Sequence, residues 1–391
     1  MTLAQSVEQV FQEKFKEQAL LVRSPGRVNL IGEHTDYNKG FVLPAAIDKS
    51  ITLAISPRND RHCSMFAMDM NEAHEFSIDD LHSTPKGWPN YLMGVVDQFV
   101  KAQYPIQGFH CVFGGDIPIG AGMSSSAALE AGLAFALNTL FHLHIDRLTL
   151  VKMAQKAENV FVGVQCGIMD QYINIFGKQD NVLRIDCRTL EYQYYPFAFH
   201  NISVVLFDTR VSHSLASSEY NRRREECSEG VAVIKKMYPE VNSLRDVTCD
   251  MLHQCRDRMD PTVYRRCKYV VEENERVLHA CGDLEKGDLK SFGAAMKKTH
   301  AGLSGDYEVS CKELDFLVDL MSSDPQVYGS RMMGGGFGGC TINLIEKNHV
   351  EEVSSFAAVR YKQKFNIDLK TYITSIGPGT RIIAGSGHEK D

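Results

Sequence analysis

Between Gly26 and Asn38 the chain sets Arg27, Glu33, His34 and Asp36 inside ten residues, beside the apolar run Val28 to Ile31. Charged and polar groups next to a strand destined for burial are costly to desolvate unless something pairs with them. A fold that accepts this segment must either leave it as a solvated hairpin tip or turn it toward a ligand. A polyhydroxylated small molecule would pair with all four groups. Any architecture proposed for the chain has to solve this problem first.

The rest of the composition narrows the choice. At 391 residues, 44% of them apolar, the chain is long enough for two domains around a sizeable core. Its formal charge is −7, from 42 Lys and Arg against 49 Asp and Glu. The one basic triplet, Arg222-Arg223-Arg224, runs straight into Glu225-Glu226 and reads as a solvated helix face. Neither nucleic acid nor an anionic membrane is expected as a partner. The 11 cysteines are scattered, with no Cys-x-x-Cys pair, as free thiols in a reducing compartment would be. Thr2 to Gln18 is charged and amphipathic rather than signal-like, and no run of about 18 apolar residues occurs. A cytoplasmic protein is expected.

Periodicity gives an α+β reading in both halves rather than a strict βαβ alternation. Short strands are predicted at 19–23 and 27–31, split by a Ser-Pro-Gly turn, then at 41–54, 108–113 and 182–186. Helices are predicted at 2–18, 88–102, 124–143, 148–160 and 169–176. After a boundary near 180–200, strands are expected at 202–207, 327–331, 340–346 and 371–375. Long helices are expected at about 215–237, 262–283, 287–301, 309–321 and 348–365. We place one lobe at 1–190 and a second at 191–391. The polar, Gly-rich end after 376 is either a loose tail or a return to the first lobe.

Two glycine clusters carry chemistry. Asp116 to Glu130 passes through Gly120, Ala121, Gly122 and Met123 into Ser124, Ser125 and Ser126, then an Ala/Leu-rich helix. Glycines let main-chain amides approach a ligand, and a helix start offers unpaired amides to an anion. The pattern is neither a Walker A loop nor a completed dinucleotide fingerprint. The plainer reading is a Ser-capped helix after a flexible loop. Met332 to Cys340 holds five glycines in the six positions 334–339, more than a structural turn needs. Between the clusters, Glu158 on the next predicted helix is either a surface glutamate or half of a Mg²⁺ site with a serine hydroxyl. Asp170, among Cys166, Gly167, Ile168 and Met169, is either a helix-entry Asp or a partly buried carboxylate partnered by Arg27.

Taken together these segments resemble the GHMP small-molecule kinases and, within them, the galactokinases. Gly26 to Asn38 is similar to the galactokinase signature, Pro118 to Ala128 to the superfamily phosphate loop, and Gly334 to Gly339 to its third motif. Cys166 to Gln171 and Ser214 to Tyr220 match as well. The resemblance implies a two-lobed GHMP fold with the active site in the cleft, and transfer of phosphate from ATP to the C1 hydroxyl of α-D-galactose. By position, Asp170 would be the base or orienter at that hydroxyl, with Arg27 beside it. Glu33, His34, Asp36, Gly167 and Tyr220 would hold the sugar. Asp36 would read the C3 and C4 hydroxyls, and Glu33 and His34 would meet the C6 end. Residues 120–126 would wrap the ATP phosphates, and Ser126 and Glu158 would ligate Mg²⁺. Trp88 would stack near adenine or pack in the core. A carboxylate paired with a guanidinium is a weak base, so the hydroxyl proton is expected to leave late.

Two positions depart from the family pattern. Met333 replaces a common Thr, and Ser212 a common Lys or Arg, so a second cation near Asp170 is either Arg210 or absent. An N-acetylgalactosamine kinase or another sugar kinase of the superfamily is the alternative enzyme, and a non-catalytic sugar sensor a more distant one. A monomer that binds small molecules is expected.

Overall fold

The computed structural model describes residues 1–118, 120–212 and 216–384, with only the backbone of 212, 216 and 217. Among them are thirteen strands: β1 (Leu20–Asn29), β2 (Phe41–Val42), β3 (Pro44–Pro57), β4 (His62–Ala67), β5 (Glu72–Ser77), β6 (Phe109–Gly115), β7 (Asn181–Asp186), β8 (Tyr192–Pro196), β9 (Ile202–Ser212), β10 (Val327–Met332), β11 (Gly338–Glu346), β12 (Lys370–Thr374) and β13 (Arg381–Ile383). They form three sheets, ordered β13-β1-β3-β6-β4-β5, β10-β11-β9-β12 and β2-β7-β8. All pairings are antiparallel except β4 with β6.

Alternation along the strands decides what covers each face. In the six-stranded sheet, Leu21, Ala54 and Val112 face the N-terminal helix Leu3–Phe15, through its Val7 and Phe11. Their neighbours Val22, Leu53, Cys111 and Phe113 join the main core on the other side, under the helices Trp88–Lys101 and Ser125–Leu140. That core continues into the four-stranded sheet through Val204, Leu206, Ile342 and Leu344. The opposite face of the second sheet, with Val205, Phe207 and Ile345, is covered by the helices Lys312–Ser322 and Val350–Phe365. The two lobes therefore share one apolar interior.

The strand bounds near Pro25 change, and the chain end takes one of its two expected courses. The Ser-Pro-Gly segment does not split two strands; β1 runs through it, with a register shift against β3 between Pro25 and Arg27. A bulge of this kind turns a strand without ending it. The expected boundary at 190 falls between β7 and β8, which pair with each other. The chain end returns to the first lobe, where β13 pairs with β1. Its approach is held by main-chain bonds from Gly377 to Ala46 and from Gly379 to Gly177. Thr380 adds a side-chain bond to the Asn174 carbonyl. No helix among the described residues is long and apolar enough to cross a membrane.

Candidate active site

The polar segment that opened the sequence is largely buried, and part of its backbone is satisfied by the other lobe. Helix Pro261–Glu285 supplies three bonds: Glu273 Oε1 accepts Gly32 N at 2.8 Å, Asn274 Oδ1 accepts Phe41 N at 3.0 Å, and Tyr269 Oη donates to the Glu33 carbonyl at 2.9 Å. Arg331 at the end of β10 is fully buried; its Nε donates to the Leu30 carbonyl at 2.8 Å and its Nη2 to that of Asn29. Buried main-chain groups need such partners. No local pattern in the sequence marks these four residues, which lie more than 230 positions away from the loop they hold.

The same contacts occupy Glu33. Its Oε1 receives Arg331 at 3.2 Å and Gly334 N at 2.7 Å, and its Oε2 receives Asn29 Nδ2 at 2.9 Å. Glu33 thus ties the signature loop to the third glycine motif while lining the cavity. The glycines of that motif also approach the phosphate loop: a Cβ on Gly334 would lie 3.9 Å from Gly122 Cα, and one on Gly339 would lie 3.8 Å from the Gly120 carbonyl. At Gly336, with φ +83°, a Cβ would collide with the Val309 carbonyl, so glycine is required there for packing.

Arg27 and Asp170 meet as the sequence suggested. Nε and Nη2 of Arg27 each donate at 2.8 Å, to Oδ1 and Oδ2 of Asp170. This is a bidentate pair, with side chains 7% and 25% exposed. Arg27 also donates through Nη1 to the Gly122 carbonyl. Ser124, in the left-handed region at φ +57°, turns its hydroxyl onto Asp170 Oδ2 instead of capping the helix Ser125–Leu140. The expected Ser cap is therefore absent at this helix start, and its first amides have no side-chain partner. An ionised carboxylate has about four lone-pair sites. Three are taken, and the free one is on Oδ1.

A cavity of about 370 Å³ opens over this pair, lined by Arg27, Glu33, His34, Asp36, Gly167, Asp170 and Tyr220 along with Gly334 to Gly336. Asp36 is half-buried, and burial together with the Asp170 charge pushes its carboxyl up to about 7. Gly167 is explained by Asp36, since a Cβ there would strike the carboxylate. Burial pulls the His34 imidazole down to about 4. Tyr220 packs against Tyr37 and His34 at ring-centre distances of 5.2 and 5.5 Å.

Beside the phosphate loop, Ser126 Oγ donates to Glu158 Oε1 at 3.2 Å. Glu158 sits in a π turn, Ala157–Val162, that continues the helix Arg147–Lys156 and is 94% buried by its 6% exposure. Its Oε2 receives Gln171 Nε2 at 2.6 Å and Cys166 Sγ at 3.2 Å. Glu130, fully buried, shares Gln171 at 3.2 Å. Burial pushes both carboxyls up, with the Glu158 charge adding to the effect on Glu130. A hydroxyl and a carboxylate side by side, in a place short of positive charge, suit a Mg²⁺ ion that takes its other ligands from phosphate and water. No group of three or more His, Cys, Asp or Glu side chains among the described residues forms a separate metal cage.

The remaining residues named from the sequence are placed as follows. Trp88 is 9% exposed, donates Nε1 to Glu72 at 2.8 Å, and packs edge-on against Phe113 at 5.4 Å. It is a core residue here. Ala121 and Met123 are buried, so only their main chain is available to a nucleotide. Gly120 and Gly122 both adopt positive φ, and Ser125 is half-buried at the helix start. Met333 points into the core, so the hydroxyl of a Thr has no counterpart. Arg210 is exposed on β9 and, among the described residues, forms no hydrogen bond or ion pair with Asp170; its main-chain N donates to Asp208 Oδ1 at 2.8 Å. Residues 213–215 of the expected Ser214 to Tyr220 match, and the side chain of Ser212, lie outside the described residues.

A glycine-rich loop feeding a helix start, a second glycine motif against it and a part-buried Asp–Arg pair define a small-molecule kinase of the GHMP type. Family models for the N-terminal and C-terminal GHMP kinase domains match residues 90–178 and 281–363. A mevalonate kinase from Methanococcus jannaschii shares the fold at TM-score 0.64 with 16% identity, over 92% of this chain and 99% of that one. A narrower model, the galactokinase galactose-binding signature, matches residues 9–57. Galactokinase from Roseiflexus sp. (strain RS-1) is 42% identical over 360 residues, 92% of each chain. That of Thermotoga maritima is 40% identical over 89% of this chain and 95% of its own. The crystal structure of Lactococcus lactis galactokinase complexed with galactose superposes at TM-score 0.93 with 33% identity, covering 97% of this chain and all of that one. The chain belongs to the galactokinase family and is an ATP-dependent sugar kinase.

Proposed function

We propose that the protein transfers the γ-phosphoryl group of ATP to the C1 hydroxyl of α-D-galactose, giving α-D-galactose 1-phosphate and ADP. The observation that carries this reading is the bidentate Arg27–Asp170 pair at the floor of a polar cavity beside the phosphate loop. The C1 oxygen attacks the γ-phosphorus as the bond to the ADP oxygen breaks, and its proton passes to the free lone pair of Asp170 Oδ1. Such transfers depend mainly on alignment and charge stabilisation. Arg27 supports both, because it fixes Asp170 and carries positive charge next to the developing alkoxide.

The main-chain amides of 120–126 hold the ATP phosphates, and Ser126 and Glu158 would hold Mg²⁺, which would supply charge neutralisation. Asp36, Glu33, His34, Gly167 and Tyr220 hold the sugar, with Asp36 toward the C3 and C4 hydroxyls. A site that bonds a hydroxyl discriminates strongly against its misplacement. ADP release is therefore expected with galactose and weakly with glucose, its C4 epimer. Equal kcat/KM for the two sugars would defeat the reading, and a preference for N-acetylgalactosamine would move it to that kinase. All eleven cysteines are free, which favours a reducing compartment and a cytoplasmic location.

A further inference from the structure

Behind the cavity wall runs a file of buried polar side chains that phosphoryl transfer does not use. His34 Nδ1 lies 2.7 Å from Tyr37 Oη, which lies 2.8 Å from Tyr307 Oη, which lies 3.2 Å from Cys227 Sγ. The sulfur also accepts Asn38 Nδ2 at 3.7 Å. His34, Tyr307 and Cys227 are 5%, 0% and 1% exposed. The other ring nitrogen, His34 Nε2, is buried in the cavity wall without a hydrogen-bond partner among the described residues. Two lobes contribute: the signature loop supplies His34 and Tyr37, and Cys227 comes from the helix Ala216–Lys235.

Protons can be counted along this file. A neutral imidazole has one N–H and one acceptor nitrogen, and the hydrogen bond at one nitrogen sets the role of the other. The file has three links. Tyr37, Tyr307 and Cys227 each bring one proton, and burial keeps all three groups protonated, with the Cys227 thiol pushed up to about 11. If His34 keeps its proton on Nε2, the three protons fill the three links, with Cys227 donating to Tyr307, Tyr307 to Tyr37 and Tyr37 to His34 Nδ1. If the proton sits on Nδ1, four protons compete for three links. The thiol is then left to donate elsewhere, and no other acceptor for Cys227 is found among the described residues.

We propose that Tyr37, held by Tyr307 and Cys227, locks His34 as the Nε2–H tautomer, so that the imidazole presents a hydrogen-bond donor to the sugar oxygen it meets. The lock makes Tyr37 and Tyr307 positioning residues for substrate choice. An oxygen acceptor is favoured at that point of the sugar and a donor-only group such as an ammonium is rejected. The consequence for substrate rests on the reading above that His34 faces the C6 end; the tautomer does not.

The test separates the two. Protein labelled with ¹⁵N at its 14 histidines, with His34 assigned from a His34→Gln spectrum, reports which ring nitrogen carries the proton in long-range ¹H–¹⁵N correlations without sugar. A protonated Nε2 and a bare, hydrogen-bonded Nδ1 are expected. A protonated Nδ1 overturns the proposal, and this holds even if Tyr37→Phe does not fold. In Tyr37→Phe, loss of the donor is expected to move the Nδ1 resonance and to raise the galactose KM about five- to tenfold, with kcat nearly unchanged. The KM for 6-deoxygalactose is expected to stay the same. An unmoved Nδ1 resonance with an unmoved KM overturns the lock. A moved resonance with an unmoved galactose KM upholds the lock and removes His34 from the C6 end.

Discussion

Asp170 divides its two oxygens among Arg27 and Ser124, and what remains for a substrate is a single lone pair on Oδ1. Its replacement by Ala is expected to lower kcat more than about 10²-fold while ATP still binds. Nucleotide titration alongside steady-state assays checks this, and near-normal turnover would refute the role. Asp36 invites a different experiment. Its carboxyl is pushed up to about 7, so the folded protein holds that proton more tightly than the unfolded chain does. The stability this contributes is fully present below about pH 4, near the unfolded value. It is lost as pH rises through about 7. Asp36→Asn is therefore expected to raise Tm at pH 8 and not at pH 4, while galactose turnover collapses. In the wild type, kcat/KM for galactose is expected to climb through about pH 7 as Asp36 becomes an acceptor. A flat profile and an unchanged Tm would show that the carboxyl is already ionised at low pH. These residues were legible because each belongs to a local string of unusual chemistry. Arg331 and Glu273 were not, since an Arg and a Glu in ordinary surroundings carry no sign that they will be buried against a loop from the other end of the chain.

At the scale of elements, the site is assembled where loops lean on one another. The segment 163–167 closes one side of the cavity, and Gly167 lets it pass the Asp36 carboxylate. Gly167→Ala is expected to displace Asp36 and raise the galactose KM at least about tenfold, with the ATP KM unaffected. Parallel changes in both KM values would point to a general collapse instead. Periodicity located most helices within a few residues, because an amphipathic stripe is a local property. It failed where tertiary pairing decides. Pro25 and Gly26 read as a break, yet β1 continues because β3 pairs with it on both sides of a bulge. Ser124 read as a helix cap, yet its hydroxyl serves Asp170, a partner 46 residues away.

For the molecule as a whole, the shared core and the returning tail make the lobes interdependent. Arg331→Met removes one partner of a buried pair and strands Glu33 beside the main-chain carbonyls it leaves. Breaking such a pair typically costs about 3–5 kcal/mol, which denaturant unfolding would measure; a loss below about 1 kcal/mol would mean that water reaches the site. Truncation after Ser375 removes β13 and the bonds of 377–380, and is expected to lower Tm and expose the edge of β1. An unchanged Tm would show that the tail adds nothing. We propose that the protein is a monomer, for which light scattering is the measurement.

By itself the amino-acid sequence determined the chemistry: a string of polar groups beside an apolar run, a glycine loop before a helix start, and an aspartate set among apolar neighbours. These are properties of adjacent residues, and local propensity and desolvation cost act on adjacent residues. Only the tertiary structure decided which groups those strings would spend on each other. Glu33 went largely to Arg331, Ser124 to Asp170, Trp88 to the core, and the end of the chain to the edge of the first sheet. Each choice satisfies a buried polar group or fills a buried volume, and both requirements exist only once segments distant in sequence have been packed together.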